Sequence, residues 1–201
     1  MAIIKLCGLR TYADALLVNE VQPDYAGFIF AFGKRQITVE TACNLSRVIK
    51  GSRLVGVFVN EQPARILSIA KQVSLDVIQL HGEETDEDIR LLKQSCTCEI
   101  WKALRIQSIK DVSKNAYPHA DHLLLDSYVQ GMQGGSGKRI AMDILQGLDV
   151  SECIIAGGIS LDNVDEVLAL RPYGIDVSSS LETDGKKDKK KVHAFMRHVN
   201  I

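Results

Sequence analysis

Two residues far apart in the chain are best suited to proton transfer. Cys7 closes the apolar run Ile3-Ile4-Lys5-Leu6-Cys7-Gly8, and Asp126 closes His122-Leu123-Leu124-Leu125-Asp126. A thiolate can take a proton and a neutral carboxyl can give one, so the pair suits general acid–base work. Side chains alternate along a strand, which sets Lys5 and Cys7 on one face and Ile4 and Leu6 on the other, apolar one. The same parity groups His122, Leu124 and Asp126, and leaves Asp121 at the opposite end of that strand as the weaker catalytic candidate. A free thiol titrates near ~8.5, and bringing it to about 7 takes roughly 2 kcal/mol of thiolate stabilisation, part of which Lys5 can supply. The competing reading of Cys7 is a buried, inert thiol, the commonest fate of cysteine.

Such residues need elements that bring them together. Strand-like runs rich in Val, Ile, Leu and Phe recur at Ile3–Cys7, Tyr25–Phe30, Leu54–Val59, Asp76–Leu80, Glu99–Leu104, Asp121–Asp126, Glu152–Ala156 and Gly174–Ser178, each followed by a helix candidate. Helical spacing is clear in Ala13, Leu16, Leu17 and Val21, in Ile66, Ile69 and Val73, and in Val164, Val167 and Leu168. Parallel strands need crossover connections, so strict alternation predicts a parallel α/β sheet with helices outside. Eight repeats close into a (βα)8 TIM barrel with short loops, and a doubly wound open sheet is the alternative. In either fold, strand C-termini gather at one face, where ligands bind. Thr11, Thr38 and Ser160 are expected helix caps, and Pro63 suits a first helical turn. The run Lys186–Lys191 invites a phosphate, but a solvated helix start is the preferred reading.

Size and charge narrow the possibilities. The 201 residues, 46% of them hydrophobic, carry no composition break and fit one domain spanning 1–201. With 24 basic against 25 acidic residues the net charge is −1, which argues against a nucleic-acid partner. Five cysteines at irregular spacing lack a zinc pattern and fit reduced thiols. No apolar run approaches membrane-spanning length, so a cytoplasmic protein with no membrane partner is expected, as a monomer or homodimer.

Glycine- and serine-bearing loops follow the last three strands: Gly134-Gly135-Ser136-Gly137-Lys138, Gly157-Gly158 and Ser178-Ser179-Ser180. Loops after barrel strands seven and eight are the usual phosphate site, through backbone N–H groups. A phosphorylated small molecule is the expected substrate.

Together these stretches resemble the phosphoribosylanthranilate isomerases of tryptophan biosynthesis. The likeness rests on Lys5-Leu6-Cys7-Gly8, Gly27-Phe28-Ile29-Phe30 with Arg35, Val55-Gly56-Val57-Phe58-Val59-Asn60 and Gln79-Leu80-His81-Gly82. It continues in Asp126 with Gly134–Lys138, Ala156-Gly157-Gly158-Ile159 and Asp176-Val177-Ser178-Ser179. The resemblance implies an Amadori rearrangement without metal or cofactor. Asp126 would protonate the furanose ring oxygen, and Cys7 would remove the C2′ proton. Arg35 would hold the anthranilate carboxylate, and the phosphate would lie against Gly157, Gly158, Ser178, Ser179 and Gly135. Asp176 is read either as a contact to sugar hydroxyls or as an acid paired with Lys5, and His81 as a wall residue or strand-end hydrogen bonder.

The chain departs from the family pattern at Gly33-Lys34-Arg35, at Arg139-Ile140-Ala141-Met142 and at Ser180, where the family has Gly. Serine adopts positive φ less freely than glycine, so Ser180 puts the phosphate loop in question. The analogous histidine-pathway isomerase resembles a two-aspartate barrel, which Cys7 opposes. A metal-dependent epimerase would want several strand-end His and Asp residues. A non-catalytic sugar-phosphate-binding barrel is the rival from another class.

Overall fold

The computed structural model describes residues 2–106, 108, 112, 116–126 and 142–200. Eight parallel strands close on themselves in sequence order: β1 (Ile3–Cys7), β2 (Tyr25–Ile29), β3 (Arg53–Phe58), β4 (Val77–Leu80), β5 (Glu99–Arg105), β6 (His122–Asp126), β7 (Cys153–Ala156) and β8 (Gly174–Val177). The barrel shuts where β1 pairs with both β2 and β8, with Lys5 opposite Tyr25 on one side and Asp176 on the other. The open-sheet alternative is thereby excluded, and each strand lies within a residue or so of its expected span.

Helices α1 (Tyr12–Val21), α2 (Val39–Ser46), α3 (Pro63–Val73), α4 (Asp86–Ser95), α5 (Met142–Gln146), α6 (Val164–Ala169) and α7 (Lys189–Val199) surround the barrel. The segment expected to carry a helix between β5 and β6 lies largely outside the described residues, and residues 127–141 lie wholly outside them. Thr11 caps α1 in a reciprocal box with Asp14, Thr38 caps α2, and Pro63 opens α3. Ser160 is not the cap of α6. That helix begins after Asn163, whose Oδ1 instead accepts from the Ser160 N–H at 2.9 Å. The lysine run also divides differently from expectation. Lys186–Lys187 form β10, paired antiparallel with β9 (Glu182–Thr183), and only from Lys189 does the helix start, capped by Asp188.

Strand alternation produces two apolar layers. Ile4, Leu6, Phe28, Ile78, Leu125 and their outward-facing neighbours pack beneath the helices. Tyr25, Val55, Val77, Trp101, Leu124 and Ile154 point inward and fill the barrel. The floor is aromatic: Tyr25 meets Trp101 edge-on at 4.9 Å, and His122 stacks on Tyr173 at 3.8 Å. At the same end Asp24, Asp76 and Asp121 each accept a backbone N–H from the preceding strand, of Ile4, Leu54 and Ile100 respectively, all at 2.7 Å. These carboxylates tie strand starts together, far from the strand ends where loops gather.

Candidate active site

Above the apolar filling, the inward positions turn polar. Lys5 is fully buried on β1, and its Nζ donates to Asp176 Oδ2 at 2.7 Å, Gln79 Oε1 at 2.7 Å and Cys7 Sγ at 3.4 Å. An ion in such a place must be paired, since unpaired burial costs several kcal/mol. Burial works against the Lys5 charge, but Asp176 and Cys7 outweigh it and hold the ammonium above its ordinary pKa. Gly27 makes the room, because a Cβ there would lie 2.9 Å from Cys7 Sγ and 3.1 Å from Lys5 Cε.

Cys7 itself ends β1 and is buried. Burial pushes its thiol up, Lys5 and Lys187 pull it down, Asp176 pushes it up again, and the net direction is upward. The thiolate support expected from Lys5 is therefore real in geometry but insufficient. The main reason is burial of the thiol, to which Asp176, paired with the same ammonium, adds a smaller upward push. Of the two readings of Asp176 the structure displays the pairing of Oδ2 with Lys5, while Oδ1 is buried with no hydrogen-bond partner among the described residues.

Asp126 ends β6, and its Oδ2 lies 3.2 Å from His81 Nε2. The other ring nitrogen of His81, Nδ1, is 2.9 Å from Gln79 Nε2. Cys7 and Asp126 thus stand at the same end of the barrel and are joined through its interior by Lys5, Gln79 and His81. Gln79 was missed by sequence reasoning, although a polar residue sharing the inward parity of Val77 was a usable signal.

The rim is charged. Arg35 grips Glu182 with two bonds of 2.8 Å, from Nε and Nη2, and lies over Gly8, where a Cβ would come within 2.9 Å of its Cδ. Gly8 also holds φ +81°, open to glycine at no steric cost. Glu182 accepts as well from Lys187 Nζ at 3.1 Å, whose side chain is only 1% exposed. The solvated reading of the lysine run fails at this residue. Burial pulls the Lys187 ammonium down, and Glu182 is held below the ordinary carboxylate range by Arg35 and Lys187 against its own burial. Neither Glu182 nor Lys187 was singled out from sequence for this rim.

The expected phosphate loops sit at the same end. Gly157 and Gly158 take φ of +89° and +65° after β7. Ser178 precedes a 3-10 turn (Ser179–Leu181), and its Oγ donates to the Cys7 carbonyl at 3.1 Å. Ser180 is not among the residues of positive φ, so the substitution for glycine carries no backbone strain, and its Oγ bonds the Ile159 carbonyl in the neighbouring loop. Gly135, with Gly134–Lys138, and the Arg139–Met142 departure up to residue 141 lie outside the described residues. Among the described residues no cluster of His, Cys, Asp and Glu has an arrangement that could hold a metal, and no helix is long and apolar enough to cross a membrane.

Comparison with known proteins places this arrangement. A family model described as N-(5'phosphoribosyl)anthranilate (PRA) isomerase matches residues 4–198. An N-(5'-phosphoribosyl)anthranilate isomerase of Thermoanaerobacter sp. strain X514 is 40% identical over 202 residues, covering 99% of this chain and 98% of the relative. The crystal structure of the Thermotoga maritima phosphoribosyl anthranilate isomerase superposes with a TM-score of 0.89 at 32% identity, covering 100% and 99% of the two chains. An isomerase in complex with reduced 1-(o-carboxyphenylamino)-1-deoxyribulose 5-phosphate superposes at 0.83, with 30% identity and the same coverage. Sequence and backbone agree from the first strand to the last helix, and the chain belongs to the N-(5'-phosphoribosyl)anthranilate isomerase family.

Proposed function

We propose that this chain, acting as one barrel domain over residues 1–201, rearranges N-(5-phosphoribosyl)anthranilate in tryptophan biosynthesis, with Asp126 as general acid and Cys7 as general base. The product is 1-(2-carboxyphenylamino)-1-deoxyribulose 5-phosphate. The observation that carries the assignment is the meeting of Cys7 and Asp126 at one mouth of a closed barrel of this family. Asp126 passes its proton to the ring oxygen as the bond from that oxygen to C1′ breaks, leaving a C1′ iminium. The Cys7 thiolate then takes the C2′ proton, and the released electron pair forms the C1′–C2′ double bond while nitrogen becomes neutral. The enolamine returns as a ketone when its hydroxyl proton leaves and C1′ gains one. Each positioned proton transfer is worth about 10²–10⁴ in rate.

Binding follows from the unused valences. Asp176 Oδ1, buried without a partner among the described residues, is available to accept a sugar hydroxyl. Arg35 is held by Glu182 along its Nε/Nη2 edge, which leaves the Nη1 side of its fork for the anthranilate carboxylate. The phosphate belongs to backbone around Gly157, Gly158, Ser178 and Ser179, with Gly135 as a further contact. Assembly as a monomer or homodimer and a cytoplasmic location complete the reading; the Thermotoga maritima relative is dimeric.

The test is direct. Purified protein mixed with freshly made phosphoribosylanthranilate should consume it and yield the carboxyphenylamino sugar. Absence of turnover at high enzyme concentration overturns the proposal. A chelator in the same assay should leave the rate unchanged, and a loss of rate restored by added metal would remove the metal-free mechanism.

A further inference from the structure

We infer that Gln79 and His81 are positioning residues: a one-way chain of hydrogen-bond donors running from Lys5 fixes the tautomer of His81 and thereby selects which oxygen of Asp126 carries the acid proton. The inference rests on the acid role of Asp126 given above. It starts from the buried ammonium of Lys5, which has donors only. The Gln79 atom 2.7 Å from it must therefore be the carbonyl oxygen, Oε1. With the amide oriented so, Gln79 presents its NH2 group to His81 Nδ1 at 2.9 Å. An amide NH2 cannot accept, so Nδ1 must, and it carries no hydrogen. The imidazole proton is then on Nε2, which donates to Asp126 Oδ2 at 3.2 Å.

Every link has one permitted direction, and burial keeps it that way. Gln79 is 1% exposed, so its amide has no water to turn towards, and Lys5 uses all three of its hydrogens on Asp176, Gln79 and Cys7. A proton on Asp126 Oδ2 would put two hydrogens between that oxygen and Nε2. The proton delivered to the sugar is consequently on Oδ1, and His81 can neither take it back nor compete for it. The sequence places the two residues two apart at the end of β4, so one strand sets both the amide and the ring.

Changing one atom reverses the chain. In Gln79→Glu, the carboxylate can still accept from Lys5, but its second oxygen can only accept from Nδ1, which forces a proton onto that nitrogen. His81 then becomes either an imidazolium, which holds Asp126 as a carboxylate, or the opposite neutral tautomer, whose bare Nε2 takes the acid proton. Both outcomes impair the acid. Nitrogen-15 NMR of histidine-labelled protein reads the ring directly. Wild type should show Nδ1 bare and Nε2 protonated, whereas Gln79→Glu should show Nδ1 protonated. Its kcat should fall about 10- to 100-fold, a part of the roughly 10²–10⁴ that a positioned proton transfer is worth, with KM within about twofold. The wild-type spectrum needs no variant to fold, and a protonated Nδ1 there overturns the inference. So does a Gln79→Glu enzyme whose Nδ1 gains its proton while kcat stays put. Asp126→Asn separates this inference from the reading beneath it: normal turnover in that variant removes the acid assignment and the positioning role with it, whatever the spectrum shows.

Discussion

Asp121 and Asp126 bracket the same strand, yet their carboxylates meet different kinds of partner. Asp121, just before β6, accepts the Ile100 N–H at 2.7 Å and the Lys93 ammonium at 2.6 Å. Asp126, at the other end, has its side-chain Oδ2 3.2 Å from His81 Nε2, and it is the proposed acid. The contrast extends to the two ends of the barrel. Asp24 and Asp76 repeat the backbone clamp at the floor, where each carboxylate bonds groups that never change. At the mouth the polar groups bond one another, in the chain of Lys5, Gln79 and His81, and Asp176 leaves an oxygen unmatched among the described residues. A residue type therefore says little about role in such a fold. Position along the strand, and whether the partner is backbone or side chain, says much more.

The sharpest way to break this contrast is at the mouth. Cys7→Ala and Asp126→Asn should each lower kcat by about 10² or more while the fold stays intact, read by steady-state turnover beside thermal melting. Near-normal turnover in either variant removes that residue from the mechanism. The floor should respond the other way round. Asp121→Ala leaves the Ile100 N–H without its charged acceptor, a loss of about 1.5–3 kcal/mol in stability, with kcat within about twofold. A denaturant melt checks the first number and the turnover assay the second; a collapse of kcat in a folded Asp121→Ala enzyme would erase the distinction between the two ends.

Much of this was readable in the chain. Val, Ile and Leu runs separated by helical spacing revealed all eight strands, because period-two and period-3.6 patterns are local properties. Parity placed Lys5 and Cys7 inside together, and the strand-end rule put Asp126 at the same mouth. The rest depends on partners distant in sequence. Lys187 looked like one charge in a solvated run, and its burial is decided by Glu182 across a tight turn and by the Ser178 carbonyl. Arg35 was assigned to the substrate without its clamp, since Glu182 lies 147 residues away. The upward shift of Cys7 was also illegible, because the burial that chiefly causes it and the nearness of Asp176 exist only once the barrel is closed.

The Arg35 clamp offers a smaller test of how the rim differs from the interior. Arg35→Ala should raise KM about tenfold, the value of one hydrogen bond to a charged group near 1.4 kcal/mol, while leaving kcat largely intact. An unchanged KM would contradict its role in holding the carboxylate. Arg35→Lys keeps the charge but loses the fork, and should recover only part of the affinity.

The smallest expected effect is a displacement along the pH axis. Four charged groups bear on Cys7: Lys5 and Asp176 from the barrel interior, and Lys187 and Arg35 from the rim. Burial and Asp176 leave the thiol above its ordinary value, so at neutral pH the free enzyme holds Cys7 mostly protonated. In the proposed mechanism the base is the thiolate, and kcat/KM reports groups of the free enzyme. The profile should therefore keep rising beyond the ordinary thiol value of about 8.5. Lys187 opposes the shift, so Lys187→Met should move the rising limb to still higher pH without altering its plateau. A limb that stays in place in this variant would show that Lys187 serves the Glu182 clamp alone, and a wild-type profile already flat at the ordinary thiol value would mean that burial does not govern the base.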